Sequence, residues 1–296
     1  PEVELVGEDL EADPEFKSYQ SNQGQSHSYV PPTPTNPSTN TFPYFDLNSS
    51  DPSVINDLLH TIEILKKENQ MKDKRLENAA KEISAKYKVN VTPIVADSSK
   101  PEDRAKLLES CPDPDILAIT IKPPAPNGDF LKVTPEMWRE SIDSALIGPI
   151  ELMRQYIPHM KESGWGRIVN IATFSAKNPM IWRLMSGPAR SALINYTASV
   201  SREIAKHGVN INNLLPGMFA TEGANEIMAD YADAFGLEHN AEAVGAHFRA
   251  NNPIPAGFVG NADDLAPMAA FLCSPLARFI VGQNIVIDGG QHASLF

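Results

Sequence analysis

The chain has 296 residues, 42% of them hydrophobic, and carries a formal charge of −12 at neutral pH. That length fits one large domain or two small ones, and the acidic balance argues against a nucleic-acid partner, which needs a basic patch. No run of about 18 apolar residues marks a membrane span, and Cys111 and Cys273 lack metal-site spacing, so the expectation is reduced core thiols and a cytoplasmic protein.

The chain opens on Pro1, without the basic-then-apolar pattern of a secretory leader. Residues 1–53 read as an acidic, proline-rich flexible arm: "PEVELVGEDLEADPEF" and "SNQGQSHSYVPPTPTNPSTN" hold too few apolar side chains to offset the entropy of ordering them. Within the arm, "TFPYFDL" places three aromatics in a polar tract, a weak docking motif. From Ser53 the texture changes. Ile55, Leu58, Ile62, Leu65, Leu76, Ala79 and Ile83 recur at near-heptad spacing, interrupted by Asn69 and Lys72. An amphipathic helix over 54–85 follows, either packed on its own domain or paired as a short coiled coil.

Residues 86–296 alternate. "VNVTPIV" (89–95), "ILAITI" (116–121), "RIVNIA" (167–172), "VNINNLL" (209–215) and "NIVID" (284–288) are short, β-branched and flanked by turn residues. Helical stretches separate most of them, near 101–110, 135–162, 188–206 and 262–273, with Pro149 and Pro158 expected to kink or end the second. The predicted fold is α/β: a partial doubly wound, Rossmann-like parallel sheet with helices on both faces, preceded by a disordered arm and a long helix. Ligands of such sheets sit beyond the carboxyl ends of the strands. The residues there are Asp97, the "KPPAPNGDF" loop, Thr173 with Ser175, "PGMFATEG" and "GGQ".

"GWGRIVNIATFSA", "SGPARSALINYTASVSREIAKHG", "NINNLLPGMFATEG" and "FLCSPLARFIVGQNIVIDGGQ" agree in order and spacing with the short-chain dehydrogenase/reductase family, which residues 75–296 resemble. The resemblance implies an NAD- or NADP-dependent oxidoreductase acting on a small carbonyl or alcohol substrate, and a homo-oligomer built through two long helices. Carried over by position, Asp97 would bond the adenine ring, while Pro216, Gly217 and Thr221 would line the nicotinamide. The family's catalytic Ser, Tyr and Lys fall on Thr173, Ser186 and Arg190, and its supporting Asn falls on Ala145.

Two departures from the family matter. A tyrosine beside an ammonium can be tuned into a proton donor, whereas a serine hydroxyl titrates far higher and a guanidinium does not relay protons. Proton transfer is therefore the step placed in doubt, and binding geometry could survive. Other readings of the same residues stay open: Ser186 as a helix cap, Arg190 snorkelling over apolar surface and Thr173 satisfying a strand-end carbonyl. Tyr196, Lys177 and Lys122 are secondary candidates. The second departure lies earlier in the chain. Residues 1–75 contain no strand, glycine-rich turn and helix of the kind that cradles a cofactor pyrophosphate. That leaves a non-catalytic relative, or a chimera serving as an interaction scaffold, as the competing function.

Overall fold

The structure is a computed structural model describing residues 74–293, except 123, 125–126 and 221–223. The arm and most of the helix predicted from Ser53 lie outside the described residues. A helix occupies 74–87 (α1), with Ala80 buried but Leu76 and Ile83 exposed, so its apolar stripe is largely uncovered among the described residues. The segment 89–95, predicted as a strand, is not one: it makes no ladder hydrogen bonds. Its β-branched alternation supplies propensity, but a strand also needs a neighbour to pair with.

The following elements are α2 (Pro101–Ser110), β1 (Ile116–Thr120), α3 (Pro135–Ile142), a π-helical turn (Asp143–Ile147) and α4 (Gly148–Ser163). Then come β2 (Gly166–Ile171), α5 (Ser186–Ile204), β3 (Val209–Pro216), α6 (Ala224–Phe235), α7 (Ala241–Asn251), α8 (Ala262–Leu272) and β4 (Asn284–Ile287). Local chemistry accounts for many of the boundaries. Pro101 opens α2 with Glu102 and Asp103 in its first turn. The Thr134 hydroxyl accepts from the Met137 N–H at the start of α3, and Asn261 with Asp264 forms a capping box on α8. Gly164, at a φ of 75°, closes α4 in the left-handed region.

The helix predicted over 135–162 is thus in three parts. Pro149 has no N–H for the Ala145 carbonyl and its ring would press on that carbonyl, so the preceding turn widens and the Gly148 N–H reaches back to the Asp143 carbonyl instead. Pro158 does not end the helix, which runs on to Ser163.

The four strands form one parallel sheet, as predicted for the strands from 116 onward, in the order β1-β2-β3-β4. Ile168 and Ile211 point to the face covered by α4 and α5, where Met153, Tyr156, Met160 and Leu193 complete the core. Val169 and Leu214, one residue out of phase, point to the other face, against Leu272 of α8. Each such fully buried side chain contributes about 1.5–3 kcal/mol. The three asparagines of β3 are satisfied rather than stranded. Asn210 and Asn212 donate to carbonyls of residues 277–280, and Asn213 Nδ2 donates to Thr197 Oγ1 at 2.8 Å and to Asn284 Oδ1 at 2.7 Å. Asn170 Nδ2 donates in turn to Asn213 Oδ1. No helix among the described residues is long and apolar enough to cross a membrane. Of the two cysteines, Cys273 is half-buried but Cys111 is exposed, so the expectation of two core thiols fails for Cys111, which sits just past the end of α2.

Candidate functional site

Three strand ends and the first turn of α5 converge on one crevice of about 330 Å³ at the carboxyl side of the sheet. Thr120 and Ile121 come from the end of β1, Ile171 to Thr173 from β2, and Pro216 to Phe219 from β3. Ser186 and Arg190 enter from α5, one helical turn apart, so both side chains point the same way. The approach of α5 depends on Gly187: a Cβ there would stand 2.9 Å from the Ser175 carbonyl oxygen. Ser191 Oγ donates to the Ala176 carbonyl at 2.8 Å and Ser141 Oγ to the Met185 carbonyl at 2.9 Å, fixing that end of the helix from two sides.

Arg190 is buried, at 3% exposure. Its Nη1 donates to Ser186 Oγ at 2.8 Å and its Nη2 donates to the Ile121 carbonyl at 2.9 Å. Burial pulls its pKa down to about 10, still cationic at neutral pH. Ser186 is the first residue of α5 and Met185 occupies the cap position, so the capping reading fails. Because the Ser186 oxygen accepts from Arg190, its own O–H remains available to donate. The Thr173 hydroxyl accepts from the Ser175 N–H at 3.3 Å and sits 3.1 Å from Ser175 Oγ, opening the short 3₁₀ turn after β2.

Five of the eight positions carried over from the sequence, Thr173, Ser186, Arg190, Pro216 and Gly217, therefore line one crevice. Asp97 does not join them. Its carboxylate accepts from the Ser99 hydroxyl at 2.7 Å and the Ser99 N–H at 3.0 Å, a local turn that holds the carboxyl below its usual range. Ala145 is buried in the π-helical turn, away from the crevice lining. Thr221 lies outside the described residues. Tyr196 packs against the α4–α5 core, and neither Lys177 nor Lys122 lines the crevice. Gly217 is explained by packing inside the protein: a Cβ there would meet Asp288 Cβ and Gln291 Oε1, both at 2.6 Å.

The residue missing from the sequence reading is Arg183. Its guanidinium lies over the Trp182 ring, 4.3 Å from the centroid, and reaches the crevice wall beside Arg190. Its pKa is pulled down to about 10, by burial first and by the neighbouring charge of Arg190, with Asp230 opposing both. The only signal in the sequence is a lone arginine inside the apolar run "MIWRLM", three residues before Ser186. Trp182 holds that run in place through edge-on contacts with Tyr231 of α6 and Phe248 of α7. Among the described residues no carboxylate lines the crevice, and its far wall is apolar: Met218, Phe219, Ile227 and Leu265.

The chain is similar to known proteins over most of its length. The family profile described as enoyl-(acyl carrier protein) reductase matches residues 67–292. The NADPH-dependent reductase BacG of Bacillus subtilis is 28% identical over 225 residues, 74% of this chain and 85% of that protein. The human mitochondrial dehydrogenase/reductase SDR family member 2 is 26% identical over 205 residues, 68% of each. The crystal structure of YwfH, an NADPH-dependent reductase involved in bacilysin biosynthesis, is 26% identical with a TM-score of 0.66, covering 75% of this chain and 86% of that one.

Proposed function

The chain belongs to the short-chain dehydrogenase/reductase family of oxidoreductases, and from that premise we propose that it interconverts a small carbonyl compound and its alcohol with NAD or NADP in the crevice described above. The observation that carries the reading is the convergence of Thr173, Ser186, Arg190, Pro216 and Gly217 on one cavity at the strand tips. The residues fit the nicotinamide end of such a cofactor: Pro216 and Gly217 give a backbone wall at the tip of β3, and Thr173 and Arg190 stand beside it as hydrogen-bond donors. A glycine-rich pyrophosphate turn is not among the described residues, and the sequence has no glycine between Gly24 and Gly128. When bound, the nicotinamide ring supplies or accepts the hydride.

This chain's own contribution is electrostatic. Ser186, polarised by the hydrogen bond it accepts from Arg190, donates to the substrate oxygen, and Thr173 donates from the β2 side. Negative charge developing on that oxygen is stabilised by these preplaced donors in a cavity with apolar walls, an arrangement worth several kcal/mol of barrier in roughly the manner of an oxyanion hole. No described group lining the crevice titrates near neutrality, so no acid of the tyrosine kind is assigned, and the proton that turns the stabilised oxyanion into the alcohol is taken from solvent water. The same absence favours a second reading, a relative that binds ligand without turnover.

Titration with NADH and NADPH, followed by quenching of tryptophan fluorescence, tests the first reading. Saturable binding at sub-millimolar cofactor is expected, and its absence at millimolar concentration overturns it. Binding without turnover of any carbonyl in a broad panel selects the second.

A further inference from the structure

Arg183 serves no evident architectural purpose. Its Nη1 is buried and has no hydrogen-bond partner, and no carboxylate among the described residues pairs with it. Asp230, whose charge attracts it, lines a different cavity with Asn127, Asp129 and Lys132. The side chain is nonetheless held still. Trp182 lies under the guanidinium, and the Asn127 N–H donates to the Trp182 carbonyl at 3.2 Å, tying the 180–184 turn to a neighbouring loop. A fixed, half-buried guanidinium with a buried nitrogen left without a partner, beside the buried Arg190, is unfavourable unless something negative comes between them. Arg190, by contrast, already spends two donors on Ser186 and Ile121.

Arg183 also forms the boundary between two spaces. On one side is the crevice with Ser186 and Thr173; on the other is a cavity of about 300 Å³ lined by Ala176, Pro179, Met180, Ile181, Leu184 and Pro188. A ligand reaching both would hold a negatively charged group against Arg183 and send an apolar chain past the guanidinium into the second space.

We propose that the substrate is an anionic carbonyl compound, an oxo-carboxylate with an apolar tail, whose carboxylate is bound by Arg183 while its carbonyl oxygen meets Ser186 and Thr173. This assignment rests on the oxidoreductase reading above for the role of the carbonyl, but the carboxylate contact is independent of turnover. A guanidinium meeting a carboxylate through two parallel hydrogen bonds is among the stronger polar contacts available to a protein.

Binding to the full chain is measured by calorimetry with 2-oxooctanoate, its methyl ester, octan-2-one and inorganic phosphate, each with and without NADPH. The carboxylate is expected to bind about tenfold or more tighter than the ester or ketone. That preference should fall to about twofold or less in Arg183→Gln, persist in part in Arg183→Lys, and leave NADPH affinity unchanged. Retained circular dichroism and thermal midpoint show that each variant folds, and Arg183→Lys keeps the test informative if Arg183→Gln does not. Equal binding of carboxylate and ester overturns the proposal. So does inorganic phosphate competing with NADPH at Arg183, with NADPH affinity lost in Arg183→Gln, because the anion would then be the cofactor's own phosphate. A carboxylate preference without binding of either NADH or NADPH sustains the anion site and removes the oxidoreductase reading; cofactor binding without the preference does the reverse.

Discussion

Arg183→Met keeps most of the unbranched stem lying against Trp182 and removes the guanidinium. At pH 7 both folded and unfolded chains carry this charge, and folding moves it to a place where its pKa is about 10 against an ordinary value above about 12. The gap of roughly two powers of ten or more corresponds to a penalty of about 3 kcal/mol on the folded state. Its sign is that of a depressed base. The penalty is fully present below about pH 10 and is relieved as pH rises through that value, because the unfolded chain then holds the proton more tightly. Against this stands the stacking on Trp182, worth about 1–2 kcal/mol when desolvated. The variant is therefore expected to gain about 1–2 kcal/mol, or roughly 3–6 °C in Tm for a domain of this size. Urea unfolding at pH 7 followed by circular dichroism reads it directly, and the gain should coincide with loss of the carboxylate preference. A loss of about 1 kcal/mol or more would refute the reasoning, since it would mean that the guanidinium has a structural partner.

The described titratable groups lining the crevice are Arg183 and Arg190, both near 10 and both needed as protonated donors. The rate should accordingly be flat from pH 6 to 9 and fall only as pH rises toward about 10; a bell with a limb near neutrality in kcat/KM would contradict this. Ser186→Ala removes the hydroxyl that Arg190 polarises, and kcat should drop about ten- to a hundredfold with KM little changed. Gly217→Ala forces a Cβ against Asp288 and Gln291, so a loss of about 1–3 kcal/mol is expected in denaturant midpoints. Asn213→Ala strands Asn170, Thr197 and Asn284 together and should lose about 2–4 kcal/mol, again read from the urea midpoint.

Particular residues show what could be read in advance. The runs at 116, 167, 209 and 284 alternate cleanly, and their carboxyl ends point to Thr173, Pro216 and Gly217, whereas Ser186 and Arg190, on a helix, are named only by the family resemblance. The alternation at 89–95 was as regular, yet pairing is a property of two strands and one strand's side chains do not carry it. At Asp97 the local turn is legible in "ADSS", since an aspartate two residues before a serine tends to close its own turn. Arg183 was not legible at all. Its setting depends on Trp182 being gripped by Tyr231 and Phe248, residues about 50 to 65 positions away, and on no carboxylate among the described residues pairing with it, which only the folded arrangement reveals.

The widened turn at Asp143–Ile147 bears on how this helix pair can be edited. It spends one residue more than regular winding would, so everything downstream is rotated by about 100° relative to an uninterrupted helix. Ser141 thereby faces the start of α5 while Leu152, Met153 and Tyr156 face the sheet. Excising a single position there, not exchanging Pro149 alone, is what would return the segment to ordinary winding, and it would swing one of these two contact sets out of place.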